Sequence, residues 1–590
     1  FRGKEGVATS LGHSPVSALI DPVAGSRNSI AEALTNLVWA PLEKGLQSVS
    51  LSANWMWPCN NEGEDARLYQ AVRAASEFAI DLGINIPTGK DSLSMKQKYP
   101  DREVLAPGTV IISAAGHCND IRGVVEPVFR KEGGPIYYMN LSGDTYKLGG
   151  SSFAQVQGKV GTEAPTVSDP EHFARAFNAL QESIREGRIL AGHDVASGGL
   201  ITTLLEACFA TPGTGAEIDL SPVGEPDMIR LLFAENAGVV LQARDEKIEN
   251  IFREKGISLY KIGSVTDQPE LHLKNHRVSL ELDVEALRDT WYKTSYLLDQ
   301  KQTAGDLAGQ RYHNYKQQPL SFSFPRKFRG KLPKIKTPSG SRPKAAILRE
   351  KGSNSEREMA HAMYLAGFDV KDVHMTDLIS GRETLEDIRF IGAVGGFSNS
   401  DVLGSAKGWA GAFKYNEKAR QALRNFFSRP DTLSVGICNG CQLFMELDLI
   451  HPDHEDHGKM TYNDSRKHES SFTSVVIEKN HSVMLSNLEG STLGVWISHG
   501  EGKFHLPYEA SRYNIVATYG YDVYPANPNG SDYNTAMLCD DSGRHLVTMP
   551  HIERSIFPWN WAWYEPGRED AVSPWLQAFV NAREWIESHK

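Results

Sequence analysis

The stretch LSVGICNGCQLFMEL, residues 433–447, limits what this chain can fold into more than any other segment. Leu433 to Ile437 is a short apolar run of the kind found in buried strands, and helical spacing resumes from Gln442. Between them Cys438 stands in a G-x-C-x-G setting made by Gly436 and Gly440. A strand that passes directly into a helix must bend sharply, and the two glycines let it do so. The bend leaves the cysteine at the strand end and at the helix N-terminus, where backbone N–H groups favour a thiolate.

The flanking sequence fits a doubly wound parallel sheet. KAAILRE (344–350) reads as a strand, SEREMAHAMYLAGF (355–368) as a helix with Ser355 at its N-cap, and FIGAVGGFSNSD (390–401) as a strand with a glycine-rich turn. A thiolate nucleophile still needs a base and an oxyanion site. About 110 residues after Cys438, His551 and Glu553 form an H-x-E pair following the strand-like HLVTM (545–549). On an extended stretch the two side chains point the same way, so the carboxylate can orient the imidazole and the imidazole can reach the thiol. Backbone N–H groups at Gly396, Phe397 and Asn439 are the candidates for holding an oxyanion.

Plainer readings stand beside this one. A cysteine flanked by apolar residues is often only core, and CNGC can be read as a redox or zinc C-x-x-C. No second C-x-x-C or Cys/His pair lies nearby to complete four zinc ligands. Cys441 reads as packing. The six cysteines are too sparse for a disulfide scaffold and fit a reducing, cytoplasmic setting. A net charge of −11 disfavours nucleic acid and anionic membrane as partners. No apolar run approaches the roughly 18 residues of a membrane span, and no signal peptide is visible. The chain opens at Phe1, which suggests a processed or upstream-truncated chain.

Residues 1–290 alternate strand-like runs such as TVIISAAG (109–116) with amphipathic helices such as EHFARAFNALQESIRE (171–186), where Phe173, Phe177, Leu180 and Ile184 keep helical spacing. Ile30 to Val38 also looks helical, which sets Glu32 and Asn36 one turn apart on one face. With Asp194 of GHDVASGG they offer oxygen ligands suited to Mg²⁺. The plain alternative has Glu32 and Asn36 facing solvent and Asp194 capping a helix. Gly89 to Ser92 (GKDS) lacks P-loop spacing and reads as a glycine-rich loop, facing phosphate or simply turning. The polar, basic, Pro- and Gly-rich stretch from 300 to 343 reads as a connector.

GxCxGxQ followed by HxE resembles the class I, triad-type glutamine amidotransferases. GGFSNSD, GICNGCQ, SHGEGKF (498–504) and MPHIER together resemble the phosphoribosylformylglycinamidine synthase family. IDPVAGSRNSIAEALTN (20–36), LSANWMWPCNNEGEDARLY (51–69), PTGKDSLSM (87–95), LAGHDVASGGL (190–200) and FAENAGVVLQ (233–242) resemble its second aminoimidazole-ribonucleotide-synthetase-like half. The resemblance implies an α/β and α+β multidomain chain. Its parts are a synthetase-like N-subdomain (1–128), a synthetase-like C-subdomain (129–290), a connector (291–343) and a doubly wound glutaminase domain (344–590).

It implies Cys438 as nucleophile, His551 as base and Glu553 as orienter, with His499 to Lys503 near the glutamine pocket. It also implies Glu32, Asn36 and Asp194 as Mg²⁺ ligands and Ala196 at a bound ATP or ADP of auxiliary, structural kind. Ala196 and Ser197 depart from the family's usual HD-x-S-D-GG. The implied reaction joins glutamine, ATP and formylglycinamide ribonucleotide to give the amidine, with ammonia passed internally. The implied chain is the C-terminal part of such an enzyme, partnered by a missing N-terminal half. A glutaminase feeding a different ATP-dependent amidating ligase is the alternative, and a non-enzymatic scaffold is a third class that an intact triad argues against.

Overall fold

The computed structural model describes residues 3–317 and 321–589 and divides into two compact units, 1–292 and 293–590. Phe1, Arg2, Gln318 to Leu320 and Lys590 lie outside the described residues, and with them the chain start and a short piece of the expected connector.

The first unit holds two large sheets and a small two-stranded one that pairs Lys96–Lys98 with Glu103–Leu105. Strand β1 (Gly6–His13) precedes helix α1 (Pro22–Leu37), β2 (Val49–Met56), α2 (Glu64–Leu82), β3 (Asn85–Ser92) and β4 (Thr109–Cys118). The four strands lie in the order β1-β4-β2-β3, with β2 and β3 parallel and the other pairs antiparallel. Helix α1 starts at Pro22, whose fixed φ suits the first helical position, and Asp21 caps it by accepting from Val23 N–H at 2.8 Å. Ile30, Leu34 and Leu37 are buried with strand residues Leu51, Ile112 and Ala114 in one apolar core.

The second sheet of this unit has seven strands, introduced in chain order as β5 (Ile136–Asn140), β6 (Ile189–Val195), β7 (Gly215–Asp219), β8 (Gly238–Ala243), β9 (Tyr260–Thr266), β10 (Glu270–Asn275) and β11 (Val278–Asp283). Their order is β11-β10-β7-β9-β5-β8-β6. Helix α3 (Pro170–Arg185) is capped by Asp169 on His172 N–H, and the expected stripe of Phe173, Phe177, Leu180 and Ile184 is buried. Helix α4 (Gly199–Phe209) follows β6, so Asp194 and Ala196 sit at a strand-to-helix passage.

The second unit is built on one nine-stranded sheet. Its members are β12 (Lys344–Arg349), α5 (Glu356–Ala366), β13 (Asp369–His374), β14 (Phe390–Ala393), α6 (Lys407–Tyr415), α7 (Glu417–Ser428), β15 (Leu433–Ile437), α8 (Asn439–Glu446), β16 (Glu469–Ile477), β17 (Thr492–His499), β18 (Asn514–Tyr519), β19 (Thr535–Cys539), β20 (His545–Thr548) and α9 (Leu576–Ser588). The strand order is β13-β12-β14-β15-β20-β19-β18-β16-β17. The first five strands pair in parallel, and their residues are almost wholly apolar and buried in β14 and β15, as strands covered on both faces require. The other four extend the sheet in antiparallel pairings that the doubly wound expectation did not include.

Four local expectations are corrected. Ser355 stands at the N-cap of α5 but in left-handed backbone (φ 67°), and its hydroxyl makes no cap bond; it accepts from Gly395 N–H at 3.4 Å instead. Gly89 to Ser92 belong to β3 rather than to a loop, because they ladder with Ala53 to Met56. His551 and Glu553 lie on a single 3₁₀ turn and not on an extended strand. Part of the stretch read as a connector is folded: helix Leu307–Asn314 carries Arg311, which meets Asp299 at 3.0 Å and Glu469 at 3.2 Å, while Lys467 meets Asp299 at 2.6 Å. Partly buried charges with mutual partners hold this segment in place where apolar spacing gave no signal.

Candidate active site at the sheet's carboxyl edge

Strands β14, β15 and β20 are adjacent and parallel, and each ends beside the next: Ala393 pairs with Gly436, and Ile437 with Thr548. The residues that follow them, Gly395 and Gly396, Cys438, and His551, are therefore delivered to one place, outside the carboxyl ends of a parallel sheet. Cys438 sits in strained backbone, φ 54° and ψ −106°, with its N–H donating to Thr548 O at 2.8 Å. Such a bend is found where surrounding packing dictates it. Gly440 is required there, since a Cβ would lie 2.1 Å from the Ala393 carbonyl oxygen.

The triad geometry follows from these placements. His551 Nδ1 donates to Glu553 Oε1 at 2.7 Å, and both side chains are buried. That leaves Nε2 for the thiol of Cys438, with which the imidazole also interacts. Burial by itself pulls the imidazole pKa down, but the charges of Glu553 and Cys438 outweigh it and raise it to about 10. Glu553 is held below its ordinary value: burial pushes it up, and the facing imidazolium more than reverses that. The Cys438 thiol lies 3.4 Å from Ser498 O. Cys441 is fully buried and burial drives its thiol well above the ordinary range, which fits the packing role read from the sequence.

The three expected oxyanion donors do not stand equally. Phe397 N–H donates to Gly352 O at 3.0 Å, so it is engaged within the fold and drops out of the donor set. Gly396 lies beside it at φ 117°, and Asn439 opens helix α8. Side chains tie these pieces together: Ser398 N–H donates to Asn439 Oδ1 (3.3 Å), Asn439 Nδ2 to Gln442 Oε1 (2.9 Å), and Gln442 Nε2 to Glu501 O (2.7 Å). Cys438, Gln442, Ser498, His499 and Glu501 are among the residues lining a cavity of about 180 Å³.

His499 ends β17 with its ring buried, and burial with the nearby His551 charge lowers it to about 3. Asn463 Oδ1, which accepts from Gly502 N–H, faces His499 Nδ1 at 3.2 Å, so Nδ1 carries the proton. Asp401, Ser405 and Arg466 also line this cavity. Asp401 ends the GGFSNSD motif, where the sequence reading gave it no role, and Ser405 and Arg466 lie outside every motif singled out.

In the first unit Glu32 and Asp194 come together. Glu32 Oε2 accepts from His13 N–H at 2.7 Å, and burial together with the Asp194 charge raises its carboxyl above the ordinary value. Asp194 is buried at the end of β6, beside His193, whose ring spans to Glu206 at 3.1 Å. Asn36 is exposed one turn beyond Glu32, and among the described residues no hydrogen bond joins it to either carboxylate. Ala196 is half-buried and its carbonyl accepts from Gly199 N–H at 3.0 Å. No described cluster of three His, Cys, Asp or Glu side chains forms a metal cage. Two carboxylates with an amide nearby do suit Mg²⁺ carried in by phosphate oxygens. Among the described residues no helix is long and apolar enough to cross a membrane.

Comparison with known proteins bears on both units. Residues 1–117 match the FGAR-AT PurM_N-like domain, 131–274 the C-terminal domain of AIR synthase related proteins, and 342–586 the CobB/CobQ-like glutamine amidotransferase domain. The phosphoribosylformylglycinamidine synthase of Homo sapiens is 39% identical over 98% of this chain and 46% of its own length. The probable chloroplastic/mitochondrial enzyme of Arabidopsis thaliana is 38% identical over 100% of this chain and 44% of its own, and the probable enzyme of Caenorhabditis elegans 37% over 98% and 47%. The chain thus spans about half the length of the curated relatives it matches. The expectation of a C-terminal part that lacks the N-terminal half of the same enzyme is not retained: the matches cover 46%, 44% and 47% of the relatives' own lengths and do not carry that assignment. Residues 1–292 accordingly carry an AIR-synthase-like fold and the second unit a glutamine amidotransferase domain, in a multidomain chain similar along its length to phosphoribosylformylglycinamidine synthases.

Proposed function

We propose that the second unit hydrolyses glutamine at Cys438 and that the ammonia serves an ATP-dependent conversion of formylglycinamide ribonucleotide to formylglycinamidine ribonucleotide in purine biosynthesis. The observation that carries the glutaminase part is the strained strand-to-helix cysteine beside a buried His551–Glu553 pair. His551 takes the thiol proton, and the thiolate adds to the glutamine carboxamide carbon. The oxyanion is held by N–H groups of Gly396 and Asn439. The imidazolium then protonates the departing ammonia, leaving a γ-glutamyl thioester that water opens to glutamate. Glu553 keeps the imidazole in its working tautomer and stabilises its charge.

The synthetase chemistry is proposed from the similarity to the named relatives, which this chain covers in part. Glu32, Asn36 and Asp194 would hold Mg²⁺ at the phosphates of an ATP or ADP near Ala196. The ion would neutralise phosphate charge there. We place the protein in the cytoplasm, where its cysteines, all free, stay reduced. The test is ammonia release from glutamine, followed by a supply of formylglycinamide ribonucleotide and ATP with mass-spectrometric detection of the amidine. Amidine formation with glutamine that stops in Cys438→Ala and returns with ammonium salts supports the reading. Ammonia release that persists undiminished in Cys438→Ala contradicts it.

A further inference from the structure

Strand β11 (Val278–Asp283) is an outer edge of the seven-stranded sheet and pairs, among the described residues, only with β10. The open N–H and C=O groups of such an edge are a template for a further strand, and proteins usually blunt it with proline, lysine, a bulge or a covering element. The six residues VSLELD contain neither proline nor lysine, and no bulge breaks the register against β10 from Glu270↔Asp283 to Asn275↔Val278. Val278 is 53% and Leu280 40% exposed, while Leu282 packs against the apolar core. The sheet's other edge strand, β6, is mostly buried.

The edge is held in place at both ends. Asn275 Nδ2 donates to Glu225 O at 2.9 Å and His276 N–H to Ser221 Oγ at 2.8 Å, which pins the turn between β10 and β11. Asp283 Oδ1 accepts from Ala286 N–H at 2.9 Å. A strand already fixed loses little freedom when it pairs. Its residues are also complementary to themselves. Antiparallel pairing about Leu280 sets Leu280 against Leu280, Val278 against Leu282 and Ser279 against Glu281, and it brings Arg277 of the turn beside Asp283. Val278, Leu280 and Leu282 share one face, so the apolar side chains of two copies meet there. On the other face the Ser279 hydroxyl donates to Glu281, and the Arg277 guanidinium meets Asp283, whose Oδ2 the bond to Ala286 leaves open. Arg277 is exposed and pairs with no described carboxylate of its own chain. An axis one residue further on would set two Glu281 carboxylates directly opposite each other.

We infer that two copies of this chain pair through β11, edge to edge and antiparallel about Leu280, so that their seven-stranded sheets run on as one. Six residues a side make a contact at the small end of specific interfaces, so the pairing is weak and depends on concentration. The two Glu281 carboxylates, diagonal across the axis, weaken it further.

The test is sedimentation velocity of the full chain from micromolar to near-millimolar concentration, together with disulfide trapping. The mass should rise with concentration from 65.2 kDa toward twice that value. Arg277→Glu places like charges at both ends of the contact and should weaken association about 10-fold, and Leu280→Asp should abolish it. Both side chains are exposed, so the variants should stay folded in a melting curve. Glu281→Gln should strengthen association several-fold, an effect that damage to the fold does not produce. The two Leu280 residues stand about 5 Å apart at Cα, within disulfide reach, so Leu280→Cys should link to itself on mild oxidation and Glu281→Cys should not. Peptide mapping separates that link from any at the native cysteines. A single-chain mass at every concentration overturns the inference. Association that survives both Arg277→Glu and Leu280→Asp, or a self-link at residue 281 in place of 280, overturns it as well.

Discussion

Replacing Glu553 by Gln keeps the shape of the triad and removes one buried negative charge. The carboxylate faces His551 Nδ1 at 2.7 Å, and its charge and that of Cys438 raise the imidazole. Burial favours a neutral ring, so the imidazolium persists up to about pH 10 only because Glu553 and Cys438 face it. Breaking one partner of a buried pair costs about 3–5 kcal/mol. Neutral Gln restores part of the hydrogen bond, which brings the loss to about 3 kcal/mol, or roughly 100-fold in the thiolate–imidazolium population. The assay is iodoacetamide alkylation of Cys438 followed from about pH 5 to 9, where an ordinary thiol gains reactivity only near its pKa of about 8.5. Glu553→Gln should lower Cys438 alkylation across that range, because a neutral ring no longer draws the thiol proton, and should hydrolyse saturating glutamine roughly 100-fold more slowly, a smaller loss than His551→Ala gives. An unshifted alkylation profile together with unchanged turnover would refute the idea that Glu553 sets the charge state of His551.

Cys438→Ser should abolish glutamine hydrolysis, while Cys441→Ser should retain it and lose about 1–3 kcal/mol of stability from burying a hydroxyl; the reverse pattern in turnover and melting would exchange the two roles. Gly395→Ala places a methyl 2.8 Å from His551 Cε1 and 3.4 Å from Cys438 Cβ, so the ring must move. Turnover should fall about 100-fold with little change in melting temperature. His499 titrates near 3 when folded because burial lowers it, against 6.5 when unfolded. The unfolded chain binds the proton first, so stability is full above about pH 6.5 and declines as the pH drops toward 3, by up to about 4 kcal/mol. His545, lowered by burial to about 4, adds to that slope, and His499→Gln should flatten part of it in melting curves against pH. Asp194→Asn should reduce the melting shift produced by Mg-ADP, and no shift from Mg-ADP in the unsubstituted protein would remove the nucleotide proposal.

The strand–cysteine–helix turn at 433–447 is legible because only small residues at Gly436 and Gly440 permit the bend, and those are visible as letters. The H-x-E pair is legible by residue type, although its conformation is not. An i, i+2 pair can face one partner from a 3₁₀ turn as well as from a strand, and the carbonyl of Trp496, which accepts His551 N–H at 2.8 Å, is what fixes the turn. Phe397 passed as an oxyanion donor because nothing local shows that Gly352 O already takes its N–H. The same limit hides the antiparallel half of the sheet. Strand β19 is buried throughout, β16 to β18 mix buried and half-buried residues without strict alternation, and their neighbours are set by pairings between distant segments. Arg466 escapes notice for a different reason: it is an ordinary polar residue in a turn-rich stretch, and only its left-handed backbone and its place in the cavity set it apart.

The central claim is tested most directly by trapping the covalent intermediate. The protein is mixed with glutamine, quenched in acid within a turnover, digested and read by mass spectrometry. A γ-glutamyl thioester should appear on the peptide carrying Cys438, stay absent from Cys441 in separately cleaved fragments, and vanish in Cys438→Ser. Ammonia released at the same rate with no adduct at Cys438, or with the adduct on another residue, would contradict the assignment of this cysteine as the nucleophile.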